Sequence, residues 1–410
     1  MIRHELHDEL KKVLYIENTN LVDTMLASVI ANSQKIGDPV WLTIIGPSSG
    51  GKSQYIRPLA KANPELFLQI DDLTANTFIS GNGEAQSLIF KIKKGASRII
   101  SMDDLTVLFS KNAEDRNAIL AQFRMIYDGR MTKASGKSNG KGITWEGHAG
   151  MIAGSTPAIY RHFSEVADMG ERFINYRMKD LNEDKAVDFI MGNPMAARDM
   201  DEKIKLAYGK YFSAIMPKVE ELKGKNIPVD DKTMQAIIDI SKAGTKLRTP
   251  VITDDREHFV SEFPISEMPF RAMKQLTNVA RSFQAMHYAE TGETVLPTDL
   301  RTAIEWIGYS LADDKRRAYF NAVIGLEAQM LKPTARNISA YTGLHHTAVE
   351  RGMSVLSAIG VVKMSEAKEG ENQTRTWSVT DHRLKEIVKR IDPPKKVEQD
   401  DYQDDGKEGA

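Results

Sequence analysis

Apolar positions in the first 180 residues change period several times, and the changes mark the elements. Leu6, Leu10, Val13 and Leu14, then Leu21, Val22, Met25, Leu26, Val29 and Ile30, recur at helical spacing and predict two helices over residues 4 to 32. Val40 to Ile45 follows as an almost unbroken apolar run, the pattern of a buried strand. Similar runs recur at Leu66 to Ile70, Ser97 to Met102 and Gly150 to Gly154, with helical patterns between them. This alternation predicts an α/β block with a mostly parallel sheet, closing near residue 180.

From Asn182 to about Ser310 the period is helical throughout, punctuated by Pro194, Pro217, Pro228, Pro250 and Pro264, which predicts an all-α second domain. A helix over Lys315 to Leu331 leads to Pro333 and Thr334. A short helix then gives way to a turn at Gly343 and a second amphipathic helix over His345 to Leu356. Strand candidates at Ile359 to Val362 and Arg375 to Val379 enclose a polar turn, so this part resembles a winged helix-turn-helix. The stretch from 393 to 410 is polar, acidic and nearly free of apolar residues, the composition of a solvated disordered tail. The expected domains are 1–180, 181–312, 313–392 and the tail.

At 410 residues, 41% hydrophobic and 27% charged, the chain has room for two or three globular domains. It contains no cysteine, which excludes disulfides, thiolate zinc sites and cysteine nucleophiles. A net charge of −1 rules out a molecule-wide basic field, so any nucleic-acid contact has to be local. No apolar run of transmembrane length and no N-terminal signal pattern is found, and the expected location is cytoplasmic, without membrane attachment.

The chemistry concentrates in Gly46, Pro47, Ser48, Ser49, Gly50, Gly51, Lys52 and Ser53, a G-x-x-x-x-G-K-S loop between the strand at 40–45 and a helical pattern near Gln54. Backbone N–H groups of such a loop surround phosphate, the lysine reaches the β/γ oxygens and the serine hydroxyl ligates Mg²⁺, so ATP and Mg²⁺ are the expected cofactors. Asp103 and Asp104 end another strand. In a P-loop enzyme the first holds Mg²⁺ through water and the second polarises the attacking water; the competing reading is an N-cap for the next helix. Ser155 or Thr156, after the strand at 150–154, is a candidate for orienting that water. Arg172 and Arg271 are candidates for the cation on the developing phosphoryl charge.

In this order the elements resemble an AAA+ ATPase over residues 30 to 310. The resemblance implies a P-loop sheet core, a helical lid, Ser155 or Thr156 as sensor 1, Arg172 as arginine finger, Arg271 as sensor 2 and a homo-oligomeric ring, commonly a hexamer. Asp128 to Trp145 has two β-capable flanks around a Gly, Ser, Asn and Lys tip just before the sensor strand, a hairpin signal. It resembles the pre-sensor-1 hairpin of superfamily 3 and minichromosome-maintenance helicases, in which the hairpin enters the channel and moves DNA. Arg130, Lys133, Lys137 and Lys141 would then meet phosphates. The run from Trp41 to Arg177 also resembles AAA+ proteins of phages and mobile elements.

In a winged helix the second helix enters the major groove and the wing touches phosphate, which points to His346, Thr347, Arg351 and Arg375. Adjacent His345 and His346 diverge on a helix and do not make a metal pair. The expected function is a ring-forming DNA helicase or translocase acting on single-stranded or forked DNA with replication proteins. The alternatives are an origin-binding ATP switch or helicase loader, and a nucleotide-regulated protein scaffold.

Overall fold

The computed structural model describes residues 2–80, 84–92, 97–133, 142–162, 172–179, 181–193, 199–222, 228–252, 260, 263–369 and 372–395. The chain forms two contact units, Met1–Met234 with Lys274–Ile307, and Gln235–Met273 with Gly308–Ala410.

The first unit opens with helices α1 (Arg3–Lys11) and α2 (Asn20–Gln34), strand β1 (Trp41–Ile45), α3 (Lys52–Ala62), β2 (Phe67–Gln69) and β3 (Ser97–Met102). It continues with α4 (Thr106–Phe109), α5 (Ala113–Tyr127), a hairpin of β4 (Arg130–Lys133) and β5 (Ile143–Glu146), then β6 (His148–Ser155) and β7 (Phe173–Arg177). Five strands form one sheet in the order β2-β3-β6-β1-β7, every neighbour parallel. Sheet connections leave β1 toward β2 on one side and end at β7 on the other. β1 is therefore the switch point where an open α/β sheet leaves a crevice at its C-terminal edge.

β7 is absent from the strand runs expected from the sequence. Its five residues, Phe-Ile-Asn-Tyr-Arg, carry Asn175 and Arg177 within the apolar pattern, and pairing along the whole of β1 is what buries it. The sheet core centres on Trp41, fully buried, with the rings of Phe123, Tyr127 and Phe173 at 5.5, 5.4 and 5.1 Å. Its indole N–H donates to the Ala149 carbonyl at 2.7 Å, so the large apolar side chain brings its one donor to a partner. The expected hairpin is present: Met131 pairs with Trp145, and both are buried against the core.

Helices α6 (Glu183–Gly192), α7 (Met200–Glu220), α8 (Asp231–Arg248), α9 (Phe270–Thr291) and α10 (Thr298–Tyr309) follow. A buried ionic cluster ties α1 into the first unit. Arg3 donates to Asp23 at 3.3 Å and to Asp299 at 2.6 Å, His7 meets Asp23 at 2.7 Å, and Tyr211 donates to Glu290 at 3.0 Å. Burial raises the Glu290 carboxyl above its ordinary value despite these partners.

The second unit contains α11 (Asp314–Ala328), α12 (Ala335–Thr342), α13 (His346–Ala358), β8 (Val362–Glu369), β9 (Asn372–Val379) and α14 (His382–Ile391). Thr334 caps α12 through the Asn337 N–H, and the His345 ring accepts from the Thr347 N–H at the start of α13. The antiparallel β8–β9 hairpin packs beside them, with Val349, Met353, Leu356, Trp377, Leu384 and Val388 buried. Among the described residues no helix is long and apolar enough to cross a membrane.

Candidate functional site

The P-loop leaves the C-terminal end of β1. The Gly46 N–H donates to the Ser155 carbonyl at 3.2 Å, which fixes the start of the loop against β6. Gly51, at φ +80°, turns the loop into α3, a left-handed conformation glycine adopts without the Cβ penalty. The first N–H groups of α3 have no intrahelical acceptor and lie at its positive end, an anion site made by the backbone alone. Helix α3 begins at Lys52, two residues before the position expected near Gln54.

Lys52 is 8% exposed, and its ammonium donates to the carbonyls of Gly46 at 3.0 Å and Pro47 at 2.6 Å. Burial holds its pKa below the ordinary lysine value, opposed by the nearby Asp104 carboxylate. Asp104 also accepts from the Thr106 N–H at 2.8 Å, an Asx-type turn ahead of α4, whose N-cap is Leu105, so this local bond and a position near Lys52 coexist in one side chain. Asp103 is engaged by Arg57, whose Nε donates to Oδ2 at 3.0 Å and whose terminal nitrogen donates to the same oxygen. Ser53 stands one helical turn before Arg57 on α3, so the two share a face. Ser53 and Asp103 are hard oxygen donors, the type that suits Mg²⁺ completed by phosphate and water. Among the described residues no group of three or more His, Asp or Glu is placed to cage a metal by itself.

Two features of this edge escaped the sequence reading. Arg57 lies in an otherwise ordinary helix, and its partner is distant in sequence. Thr106 is the second: its hydroxyl lies 3.3 Å from Ser155 Oγ and 3.4 Å from Thr156 Oγ1, and it accepts from the Thr156 N–H at 3.1 Å. It therefore joins the acidic strand end to the candidate sensor. Ser155 is fully buried, whereas Thr156 is half-buried. Close approach of the two strand ends requires Gly154, since a Cβ there would lie 2.3 Å from the Asp103 carbonyl.

Arg172 stands at the other end of the sheet. The register pairs Trp41 with Phe173 and Ile45 with Arg177, so Arg172 precedes β7 at the edge opposite the loop, roughly 16 Å away along the strand. Its guanidinium donates to both Asp128 oxygens at 3.0 and 3.1 Å and lies 5.5 Å from the Tyr127 ring. The arginine level with the loop is Arg177, 3% exposed and stacked at 4.3 Å over Tyr160. Arg271 is exposed at the start of α9, in the second unit.

On the hairpin, Arg130 is exposed. Lys133 donates to the Asn76 side chain at 2.8 Å and to the Ile79 carbonyl at 3.2 Å, which ties it to the body of the unit. Lys137 and Lys141 lie outside the described residues. In the second unit His346, Thr347 and Arg351 are exposed on α13. His346 stands 3.8 Å from Glu350, and Arg375 donates to Glu366 across the β8–β9 hairpin at 3.0 Å.

No protein-family model matches the chain, and no curated protein matches it. Among solved structures the chain is similar to the Aeropyrum pernix Orc1 protein in complex with DNA, at 13% identity, 92% of this chain and 94% of that one, with a TM-score of 0.28. A likeness that loose fixes neither fold nor function.

Proposed function

We propose that the chain is an AAA+ ATPase that couples ATP and Mg²⁺ turnover to work on DNA, as a ring-forming helicase or translocase. The observation that carries this reading is a single sheet edge. The P-loop of β1 and the Asp103–Asp104 pair of β3 flank the hydroxyl-ended β6, and a β-hairpin is inserted directly before that strand. In this reading Lys52 and the α3 N-terminus hold the phosphates, Ser53 and Asp103 the metal, Asp104 the attacking water, and Thr156 senses the γ-phosphate.

Arg172 lies on the far edge of the sheet and so serves a neighbouring subunit's nucleotide, with Arg271 contributing from a lid over residues 181–312. The hairpin, with Arg130 and the lysines of its tip, meets the DNA strand. A winged helix over 313–392 meets duplex through His346, Thr347, Arg351 and Arg375, ahead of the tail at 393–410. A hexamer, replication proteins as partners, a phage or mobile-element setting and a cytoplasmic location complete the reading.

A second reading, a slow origin-binding switch or loader, draws on the internal pairing of Asp103 with Arg57 and of Arg172 with Asp128, which rapid turnover would have to break repeatedly. Strand displacement from a forked DNA, followed alongside phosphate release, separates the two. Hydrolysis coupled to displacement supports the motor; DNA-stimulated hydrolysis that never displaces a strand supports the switch; no hydrolysis sinks both.

A further inference from the structure

Helix α6 stands apart from the other long helices of the first unit because none of its residues is buried. Ala186 and half-buried Phe189 face inward, with the Phe189 ring 6.1 Å from Tyr15. On the outer side Val187, Ile190 and Met191 are 56, 64 and 75% exposed at spacing i, i+3, i+4, a single apolar stripe. Asp184 and Asp188, also exposed, flank that stripe four residues apart. Neither forms an ion pair with another described residue.

The second unit carries a complementary surface. A cavity of about 290 Å³ is lined by Ala243, Met268, Pro269, Val361 and Leu384, and by two carboxylates already engaged, Glu267 paired with Arg248 at 2.6 Å and Asp381 capping α14. Lys242 and Lys246, exposed and four residues apart on α8, line it beside the exposed Met268. Asp184 with Asp188 and Lys242 with Lys246 each stand at i, i+4 on one helix face, with Cβ atoms about 5–6 Å apart, so the two pairs match in spacing as well as sign. The apolar stripe answers the apolar part of the cavity lining, and an exposed apolar patch rimmed by charge is the character of a contact surface.

We propose that α6 of one copy docks in the second-unit cavity of another copy, with Asp184 and Asp188 on Lys242 and Lys246 and the Ile190 and Met191 side chains in the cavity. The contact uses two different patches, so it is head-to-tail and propagates into a ring or a filament. It supplies the surface for the assembly proposed above, yet it stands on these two patches alone and needs no nucleotide.

Light scattering of the full chain without nucleotide tests the contact. The wild type is expected to assemble at micromolar concentration, and D184K/D188K and K242E/K246E each to fall to monomer. Combining all four reversals in one chain, which restores complementarity, is expected to restore assembly, a rescue that misfolding does not give. A mixture of I190D/M191D with K242E/K246E has one live helix and one live cavity, and is expected to stop at a 1:1 dimer.

A wild type that stays monomeric overturns the proposal, and so do reversals that leave its mass unchanged. Assembly rescued by an unrelated protein or by a lipid, but not by a second copy, overturns it too. Binding of a fluorescent ATP analogue, read in parallel, separates this outcome from the fate of the ATPase reading: assembly without nucleotide binding leaves the contact standing and removes the enzyme.

Discussion

The loop end of the sheet and the outer face of α13 both present charged and polar side chains, and they hold them in opposite ways. At the sheet edge the side chains are locked: Lys52 closes on two loop carbonyls, Asp103 takes Arg57, and Thr106 bridges to Ser155 and Thr156. On α13 His346, Thr347 and Arg351 are exposed, and His346 meets Glu350 only at 3.8 Å. A locked constellation positions reacting atoms, and losing one member costs the function as a unit. A row of exposed side chains contributes increments of affinity that add. Substitution effects should therefore be steep on one surface and shallow on the other.

The steepest effect is expected from Lys52→Ala. It removes the buried cation of the loop, which the ATPase proposal puts on the phosphates, and hydrolysis should fall on the order of 100-fold or more, as when one fixed charge-stabilising donor is removed from an active site. Phosphate release at saturating ATP, with circular dichroism to verify the fold, measures it. A loss under fivefold would mean that Lys52 is held by the loop carbonyls for structure only, and the contrast would collapse.

Thr106→Val comes next. Valine keeps the shape and removes the hydroxyl that links the acidic pair to Thr156, so hydrolysis should drop about tenfold, the equivalent of one hydrogen bond of about 1.4 kcal/mol. Nucleotide affinity should stay within about twofold, since the hydrogen bonds of the Thr106 hydroxyl go to Ser155 and Thr156 at the end of β6. Single-turnover hydrolysis beside equilibrium binding separates the two. A fall in binding with chemistry unchanged would place Thr106 in scaffolding.

The two surfaces also differ in how far the sequence discloses them. The P-loop is legible because its chemistry is local: eight consecutive residues specify strand end, turn and helix start. The helix pair α12 and α13 is legible for the same reason, since Thr334, Gly343 and His345 punctuate two short periodic helices. What stays hidden is pairing between distant segments. Nothing in Tyr55-Ile56-Arg57 announces Asp103, and nothing near Thr106 announces Thr156; only the sheet order brings them together. β7 escapes because Asn175 and Arg177 break a five-residue run whose burial comes from β1. Lys133 misleads in the other direction: a lysine beside a Gly-, Ser- and Asn-rich sequence reads as solvent-facing, yet Asn76 and the Ile79 carbonyl capture it. Local motifs therefore show where chemistry occurs, and topology decides which side chains share in it.

The smallest effect is expected on α13. Arg351 is exposed one turn after Thr347, so its contact with DNA would be one phosphate among several. Arg351→Ala should weaken DNA binding only a few-fold while lowering the slope of log affinity against log salt by roughly 0.9, the share of one neutralised phosphate. Fluorescence anisotropy across a salt series reads both quantities, and ATP hydrolysis without DNA should not change. An affinity that collapses at every salt concentration would mean that α13 holds Arg351 as tightly as the sheet edge holds Lys52. The face would then be a built recognition site reading a base edge, where a bidentate arginine contact carries about 1–3 kcal/mol and its loss relaxes sequence preference at one position. An unchanged slope would instead take α13 away from nucleic acid and leave the hairpin before β6 as the remaining candidate surface for it.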